Sequence, residues 1–200
     1  MLRAMSIAAS ASPDRPAPPR PEAPFALFLD IDGTLVDFAP EPEAVVLPAT
    51  TRGLLARLAV RLDGALAVLS GRRLDDIDRQ FGLAALPVAA LHGLVRRDAR
   101  GRIEQWPVPS AMAEARAELA ALTVPLDGVH IEDKGATLAL HYRHAPWLEP
   151  AVRALAGRIV AGHAGELTIQ PGNAVFEIRP RGPDKASALF YVRASHRAYL

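Results

Sequence analysis

The stretch FALFLDIDGTLVD, residues 25–37, decides the fold because a short apolar run leads directly into two acids. Residues 25–29 show no polar alternation, which is typical of a parallel strand buried on both faces. Asp30 and Asp32 follow at once, with a glycine and a threonine behind them. The stretch therefore predicts a buried strand that brings two carboxylates to its carboxyl end.

Apolar segments of the same kind recur downstream and alternate with helical patterns. Strands are predicted at residues 65–69 and 87–91, an amphipathic helix at residues 51–62 and a short helix at residues 74–81. This alternation is the signature of a doubly wound, Rossmann-like α/β domain with a parallel sheet. Chemistry in such sheets collects at the carboxyl ends of the strands. The polar residues that follow the second and third strands are therefore expected beside the two acids: Ser70, Gly71, Arg72 and His92.

The rhythm of the sequence changes after residue 93. A hairpin is predicted near residues 94–106, and two helices are predicted at residues 111–122 and 149–163. Four further strands are predicted in the same segment, at residues 129–132, 136–143, 166–170 and 174–178. Alternation along residues 136–143 predicts one covered face and one more open face. The whole pattern predicts a mixed sheet with two helices.

The domain division follows from this change of pattern. We interpret residues 94–181 as an α+β cap domain inserted into a core of residues 25–93 and 182–200. Residues 1–24, rich in Ala, Ser and Pro, are predicted to form a disordered leader. A secretory signal is the weaker alternative, because the apolar residues 4–9 fall short of the usual hydrophobic region of roughly 7–15 residues.

Composition argues against several classes of function. The 23 basic and 22 acidic residues give a formal net charge of +1, so no broad basic face for nucleic acid is expected. No run approaches the roughly 20 apolar residues that a membrane span needs, so no membrane partner is expected. The absence of cysteine excludes disulfides, a thiolate nucleophile and a Cys-based zinc site. A cysteine-free chain also suits a reducing compartment, and we expect a cytoplasmic protein.

The two acids after the first strand have a spacing that suits phosphoryl transfer. A carboxylate can attack phosphorus and form an aspartyl phosphate, which divides one difficult displacement into two easier ones. A second carboxylate two residues later can give a proton to the leaving oxygen and later take one from water. Because the phosphoryl group is itself anionic, a hard cation such as Mg²⁺ is normally needed to cancel the repulsion. A polar strand-to-loop turn without chemistry is the weaker interpretation.

Other residues expected at this sheet edge can bind phosphate oxygens. Thr34 offers a hydroxyl and a backbone donor, Ser70 offers a second hydroxyl, and Lys185 can neutralise charge. For Arg72 two interpretations stay open: contact with phosphate or a closing cap, or capping of the next helix. His92 lies near the edge by topology, but a lone histidine is more often a hydrogen-bonded structural residue.

At these residues the sequence resembles the haloacid dehalogenase-like phosphatases. The stretch DIDGTL, residues 30–35, matches their first motif, and SGR, residues 70–72, matches their second. Their third motif is matched by Lys185 within RGPDK, residues 181–185.

This resemblance implies a role for each matching residue. Asp30 would be the nucleophile, Asp32 the general acid and base, and Lys185 a further catalytic residue. A Mg²⁺ ion would be held by the carboxylate of Asp30 and the backbone carbonyl of Asp32. The phosphate-binding residues implied in the same way are Thr34, Ser70, Gly71 and Arg72.

The inserted segment is similar to that of trehalose-6-phosphate phosphatases. The stretches that carry the likeness are LHG, IEDKG, LHYR and VFEIRP, at residues 91–93, 131–135, 140–143 and 175–180. The likeness implies that the cap holds a disaccharide through Glu132, Lys134 and Glu177. Alternating acid and base also suits sugar hydroxyls, which both donate and accept hydrogen bonds. On composition alone, a solvated turn pair is the favoured interpretation of Glu132 and Lys134.

The implied function is a Mg²⁺-dependent phosphatase whose substrate is a small sugar phosphate, trehalose 6-phosphate. The alternatives are a related capped phosphatase for another sugar phosphate, such as sucrose phosphate, and a protein that binds a sugar phosphate without hydrolysing it. The family's fourth, acidic motif has no match, since the fifteen residues after Lys185 contain neither Asp nor Glu. We therefore expect a C-terminally incomplete core, a weakened Mg²⁺ site, low solubility and little phosphatase activity.

Overall fold

A computed structural model of the chain describes residues 21–22, 25–37, 45–121 and 126–189. The predicted disordered leader falls almost entirely outside these residues. Within them the predicted strands and helices form, with ends that lie within two residues of those expected.

The first five strands form one sheet in sequence order, which we call the core sheet. Its strands are β1 (Leu27–Leu29), β2 (Leu66–Leu69), β3 (Val88–Ala90), β4 (Val95–Arg97) and β5 (Ile103–Gln105). The first three are parallel, and β4 and β5 continue the sheet as an antiparallel hairpin beyond β3. The hairpin predicted near residues 94–106 thus forms, but it belongs to this sheet and not to the cap to which the sequence assigned it. The free edge of β3 provides backbone groups that β4 satisfies.

Four α-helices of at least eight residues lie within the described ranges: α1 (Ala49–Arg61), α2 (Leu74–Phe81), α3 (Ala111–Ala120) and α4 (Glu149–Gly162). Helix α2 has Asp75 and Asp76 in its first turn and ends at Gly82, whose φ of 63° terminates it in the left-handed region. A further helical segment begins at Lys185 and is described to residue 189. None of the helices in the described ranges has the length and apolar character to cross a membrane.

Helices cover both faces of the core sheet. Leu55 of α1 and Phe81 of α2 pack on one face, in a cluster that includes Val68 of β2. Ala188 of the last helical segment packs on the other face, against Leu69. Neighbouring strand residues point to opposite faces, so an apolar run without polar alternation is what this two-sided burial requires. The predicted doubly wound α/β core is in accord with this arrangement.

The remaining strands form a second sheet, which we call the cap sheet: β6 (His130–Asp133), β7 (Leu138–His141), β8 (Leu167–Gly172) and β9 (Val175–Pro180). Their order is β6-β7-β9-β8 and every pairing is antiparallel, so the expectation of a mixed sheet is wrong. Helices α3 and α4 cover one face, where Leu140 and Phe176 are buried. Thr137 and Ala139 on the opposite face are also fully buried, so this face is less open than predicted.

Candidate active site

The turn after β1 places the first acids at the sheet edge. The carbonyl oxygen of Ile31 accepts hydrogen bonds from the amides of Thr34, Leu35 and Val36 at 3.2, 2.8 and 3.1 Å. Gly33, with a φ of 80°, allows the sharp reversal that these bonds need. The side chain of Thr34 is exposed and free of described neighbours in hydrogen-bond reach, whereas its amide is used within the turn.

Asp30 lies directly beyond β1 and contacts the lysine of the third motif. Its Oδ2 accepts a hydrogen bond from Lys185 Nζ at 2.7 Å, and its Oδ1 accepts one from the amide of Ile31 at 2.9 Å. The side chain of Asp30 is 40% exposed, so its carboxylate can be reached from solvent. Asp184 and Ser187 cap the start of the helical segment reciprocally, each accepting from the other's amide at 2.8 Å. This capping fixes the backbone next to Lys185.

Asp32 is held by a fork of two hydrogen bonds from Arg72. Nη2 and Nε of Arg72 donate to Oδ1 and Oδ2 of Asp32 at 2.8 and 2.9 Å. The guanidinium also donates to Gln80 Oε1 at 2.9 Å and lies over the ring of Phe81, 5.2 Å from its centroid. A bidentate pair of this kind sets the orientation of the carboxylate as well as its charge environment. Arg72 does not cap α2, so that interpretation is wrong, and its contact with phosphate stays a prediction.

Residues 70–72, which we call the phosphate loop after the role predicted for them, are hydrogen-bonded to the loop after β3. The amide of His92 donates to the carbonyl of Ser70 at 2.9 Å, and the amide of Leu91 donates to the carbonyl of Arg72 at 3.0 Å. Ser70 is fully buried, and its Oγ accepts from the amide of Arg72 at 3.1 Å. Gly71 packs against His92, because a Cβ atom at this position would lie 2.6 Å from Nε2 of the imidazole.

The cap sheet aligns the residues expected to bind sugar. Glu132 of β6 is paired with Ala139 of β7, and Ala139 is paired with Glu177 of β9, so the two acids share one row and one face. Lys134 lies between them, with Nζ 3.4 Å from Glu177 Oε1 and 3.9 Å from Glu132 Oε2. Its side chain is only 13% exposed, so the interpretation as a solvated turn pair is wrong.

Glu177 is the most buried acid of this row, with a side chain that is 6% exposed. Burial alone would raise its pKa, but the hydrogen bond from His92, the charge of Lys134 and the hydroxyl of Thr137 outweigh that effect and lower the pKa to about 2. His92 Nε2 is 3.0 Å from Glu177 Oε2, and Thr137 Oγ1 donates to Oε1 at 2.6 Å.

Glu132 is stabilised as an anion in a similar way. Burial acts to raise its pKa, while the hydrogen bond with His141 and the charge of Lys134 lower it below the ordinary value. The distance from His141 Nε2 to Glu132 Oε2 is 2.9 Å. Both acids therefore face the site as charged acceptors.

Two contacts join the cap sheet to the phosphate loop. One is the bond between His92 and Glu177, and the other runs from Lys134 Nζ to the carbonyl oxygen of Gly71 at 3.3 Å. Motif order alone assigned no partner to His92 and no site role to Thr137. The signal available for His92 was its place next to a glycine at a strand end.

The donor chemistry at the end of β1 suits a hard cation. Mg²⁺ in proteins is commonly held by one or two carboxylates together with water and substrate phosphate oxygens. The exposed carboxylate of Asp30 is a donor of this kind, whereas that of Asp32 is engaged by Arg72. Across the ranges that the structure describes, no group of three or more His, Asp or Glu side chains is arranged around a common metal position.

This fold is also found in solved structures of haloacid dehalogenase-like hydrolases. A haloacid dehalogenase-like hydrolase from Bacteroides thetaiotaomicron has the same fold, with a TM-score of 0.60 over 84% of this chain and 76% of its own, at 14% identity. The trehalose-phosphatase family matches residues 28–196, and the chain belongs to that family.

Two relatives illustrate the likeness. The probable trehalose-phosphate phosphatase of Sinorhizobium fredii is 42% identical over 165 residues, which are 82% of this chain and 62% of the relative. The trehalose-6-phosphate phosphatase of Escherichia coli is 38% identical over 172 residues, 86% of this chain and 64% of the relative. The chain thus spans less than two thirds of the length of either relative.

Proposed function

We propose that the protein is a phosphatase that hydrolyses trehalose 6-phosphate to trehalose and inorganic phosphate. The observation that carries the proposal is the contact between the charged row of the cap sheet and the phosphate loop. Lys134 lies between the two cap acids, Glu132 and Glu177, and also donates to the carbonyl of Gly71 in the phosphate loop. A sugar ring and its phosphate can thus be bound by neighbouring groups of the two sheets. The names of the two relatives support the same substrate.

The proposed reaction has two steps. A carboxylate oxygen of Asp30 attacks phosphorus, the bond between phosphorus and the sugar oxygen breaks, and Asp32 gives its proton to that oxygen. Asp32 then takes a proton from water, whose oxygen attacks the aspartyl phosphate and releases phosphate from Asp30. In the structure both carboxylate oxygens of Asp32 accept from Arg72, so this fork has to open when Asp32 takes up the proton that it gives to the sugar oxygen; Lys185 balances charge beside Asp30.

Substrate selection is assigned to the charged row of the cap sheet. Glu132 and Glu177 are ionised and accept hydrogen bonds from sugar hydroxyls, while Lys134 donates to them. The three side chains are 27%, 6% and 13% exposed, respectively, so their bonds form in a partly dry environment where they discriminate better than at the surface.

Mg²⁺ is proposed as the cofactor, held by the carboxylate of Asp30 and the backbone carbonyl of Asp32. When bound, it would neutralise negative charge on the phosphoryl oxygens. We also propose a cytoplasmic location, which suits a chain without cysteine.

Phosphate release from trehalose 6-phosphate tests the function, with Mg²⁺ present or removed by a chelator. We expect slow, Mg²⁺-dependent release by the wild-type chain, in line with the weakened Mg²⁺ site expected from the sequence. In Asp30→Asn the rate should fall by about 10³-fold or to the uncatalysed background, because the nucleophile is removed. Chelation should abolish release in the wild type.

The matched control is Asp37→Asn, which removes an exposed acid of the same segment and should leave the rate unchanged. Sucrose 6-phosphate should be hydrolysed at least about tenfold more slowly, as expected when hydrogen bonds to the sugar are misplaced. Equal release by wild type and Asp30→Asn would refute the mechanism. If the wild type binds trehalose 6-phosphate without releasing phosphate, the proposed function changes from hydrolysis to binding of a sugar phosphate.

A further inference from the structure

The loop after β3 has an unusual backbone at the point where it meets the phosphate loop. Leu91 and His92 have φ values of 47° and 55°, a region that side chains other than glycine seldom adopt. The amides of both residues donate to carbonyl oxygens of Ser70 and Arg72. These bonds hold the loop in its left-handed conformation and fix the direction in which the side chain of His92 leaves it.

The imidazole of His92 lies against the backbone of Gly71. A Cβ atom on Gly71 would be 2.6 Å from Nε2 and 2.8 Å from Cε1, closer than real carbon atoms approach. The ring therefore occupies the space that a side chain at position 71 would take, and the phosphate loop forms one wall for it.

The same ring reaches the cap sheet. Its Nε2 is 3.0 Å from Oε2 of Glu177, and because an ionised carboxylate only accepts, Nε2 carries the hydrogen of this bond. Lys134 makes the second crossing, to the carbonyl of Gly71. Both crossings thus end on Gly71, one on its backbone oxygen and one through the ring packed against it.

We propose that His92 is a positioning residue that holds the sugar-binding side chains of the cap in register with the phosphate loop. It acts through Glu177 and favours substrates that carry a sugar over phosphate esters that do not. This proposal rests on the phosphatase function proposed above.

The selectivity follows from what each substrate has to touch. A sugar phosphate spans the phosphate loop and the cap row, so an error in their relative position weakens its transition state. A small aryl phosphate such as p-nitrophenyl phosphate needs only the phosphate loop and the attack by Asp30, and it has no hydroxyls for Glu177. A hydrogen bond to a charged group is strong enough for its loss to be measured in kinetics.

The test compares His92→Met with His92→Gln. The two side chains have the same length and the same backbone cost at a positive φ, but only Gln can donate from near the position of Nε2. We expect kcat/KM for trehalose 6-phosphate to fall at least about tenfold more than kcat/KM for p-nitrophenyl phosphate in His92→Met. His92→Gln should recover most of that difference. Circular dichroism and thermal unfolding check that both variants are folded.

An equal loss on both substrates in His92→Met, or a Gln variant no better than Met, would overturn the proposal. If the wild type hydrolyses neither substrate, the phosphatase function fails, and amide hydrogen exchange decides the role of His92 separately. Faster exchange at residues 70–72 and 134–137 in His92→Met, but not in His92→Gln, supports the proposal that His92 couples the phosphate loop to the cap sheet. Unchanged exchange at these residues in Met contradicts it.

Discussion

At the scale of single residues, Gly71 shows how space, and not backbone freedom, can require a glycine. The ring of His92 lies where a Cβ atom would be, and the carbonyl of Gly71 accepts from Lys134. A side chain at this position would therefore disturb both contacts between the phosphate loop and the cap sheet.

The substitution Gly71→Ala tests this interpretation. Because the ring of His92 has to move or distort the loop, we expect the free energy of unfolding to fall by about 1–3 kcal/mol. Gly157→Ala is the matched control, since Gly157 lies inside α4 and a Cβ added there would meet no atom within 4 Å outside the adjacent helix backbone. That change should stabilise the protein by about 0.5–1 kcal/mol, because Gly is a poor helix former. Urea unfolding measures both, and a Gly71→Ala variant as stable as the wild type would contradict the argument.

Motif order predicted which residues would meet at the sheet edge, but it did not predict the pairs that they form. Strand ends bring together side chains that are far apart in the sequence, as Lys185 and Asp30 are. The choice of Arg72 for Asp32 depends on the direction of each side chain in the folded loop, which no local pattern encodes. The link between His92 and Glu177 was missed for the same reason, since its partners are 85 positions apart.

At the scale of elements, the hairpin of β4 and β5 depends on one buried arginine. Arg97 of β4 donates to both carboxylate oxygens of Asp78 on α2, and to the carbonyls of Leu83 and Leu86. Its side chain is 7% exposed. It therefore joins the hairpin to the helix and to the loop that follows that helix.

Removing this arginine should loosen the hairpin. Arg97→Met removes the donor to the carbonyl of Leu86 and leaves Asp78 without its cation, while the carbonyl of Leu83 keeps the amide of Leu86. We therefore expect the free energy of unfolding to fall by about 2–3 kcal/mol. Arg102→Met in the same hairpin is the control, because its ion pair with Glu104 is mostly exposed. That loss should stay within about 0.5 kcal/mol. Chemical denaturation measures both values. Equal losses in the two variants would show that the buried hydrogen bonds of Arg97 do not stabilise the fold more than an exposed ion pair does.

Periodicity predicted the elements well because it reflects local burial, whereas it failed where pairing is non-local. The helix predicted at residues 74–81 was placed correctly, and Gly82 follows its last residue as the C-cap. The hairpin after β3 was found but assigned to the wrong module, since a strand pattern does not say which edge it will join. The antiparallel order of the cap sheet was missed for the same reason.

At the scale of the whole molecule, one ionised acid links the two sheets. Glu177 of the cap sheet receives hydrogen bonds from its own sheet through Thr137 and from the core through His92. A buried carboxylate is stable only while its partners remain in place. Docking of the cap on the core is therefore coupled to the charge of this side chain.

This coupling predicts a dependence of stability on acid pH. The pKa of Glu177 is lowered from 4.5 to about 2 on folding, so its ionised form stabilises the folded state. The contribution is fully present above pH 4.5 and declines as the pH falls from 4.5 towards 2. The full loss amounts to about 3 kcal/mol.

The experiment compares the unfolding free energy of the wild type with that of Glu177→Gln by urea titration from pH 7 to pH 2. The difference between the two proteins isolates the contribution of Glu177 from that of the other acids. We expect the wild type to lose its advantage over the Gln variant across that acid range. A difference that stays constant with pH would show that Glu177 is not held as a buried anion between the two sheets.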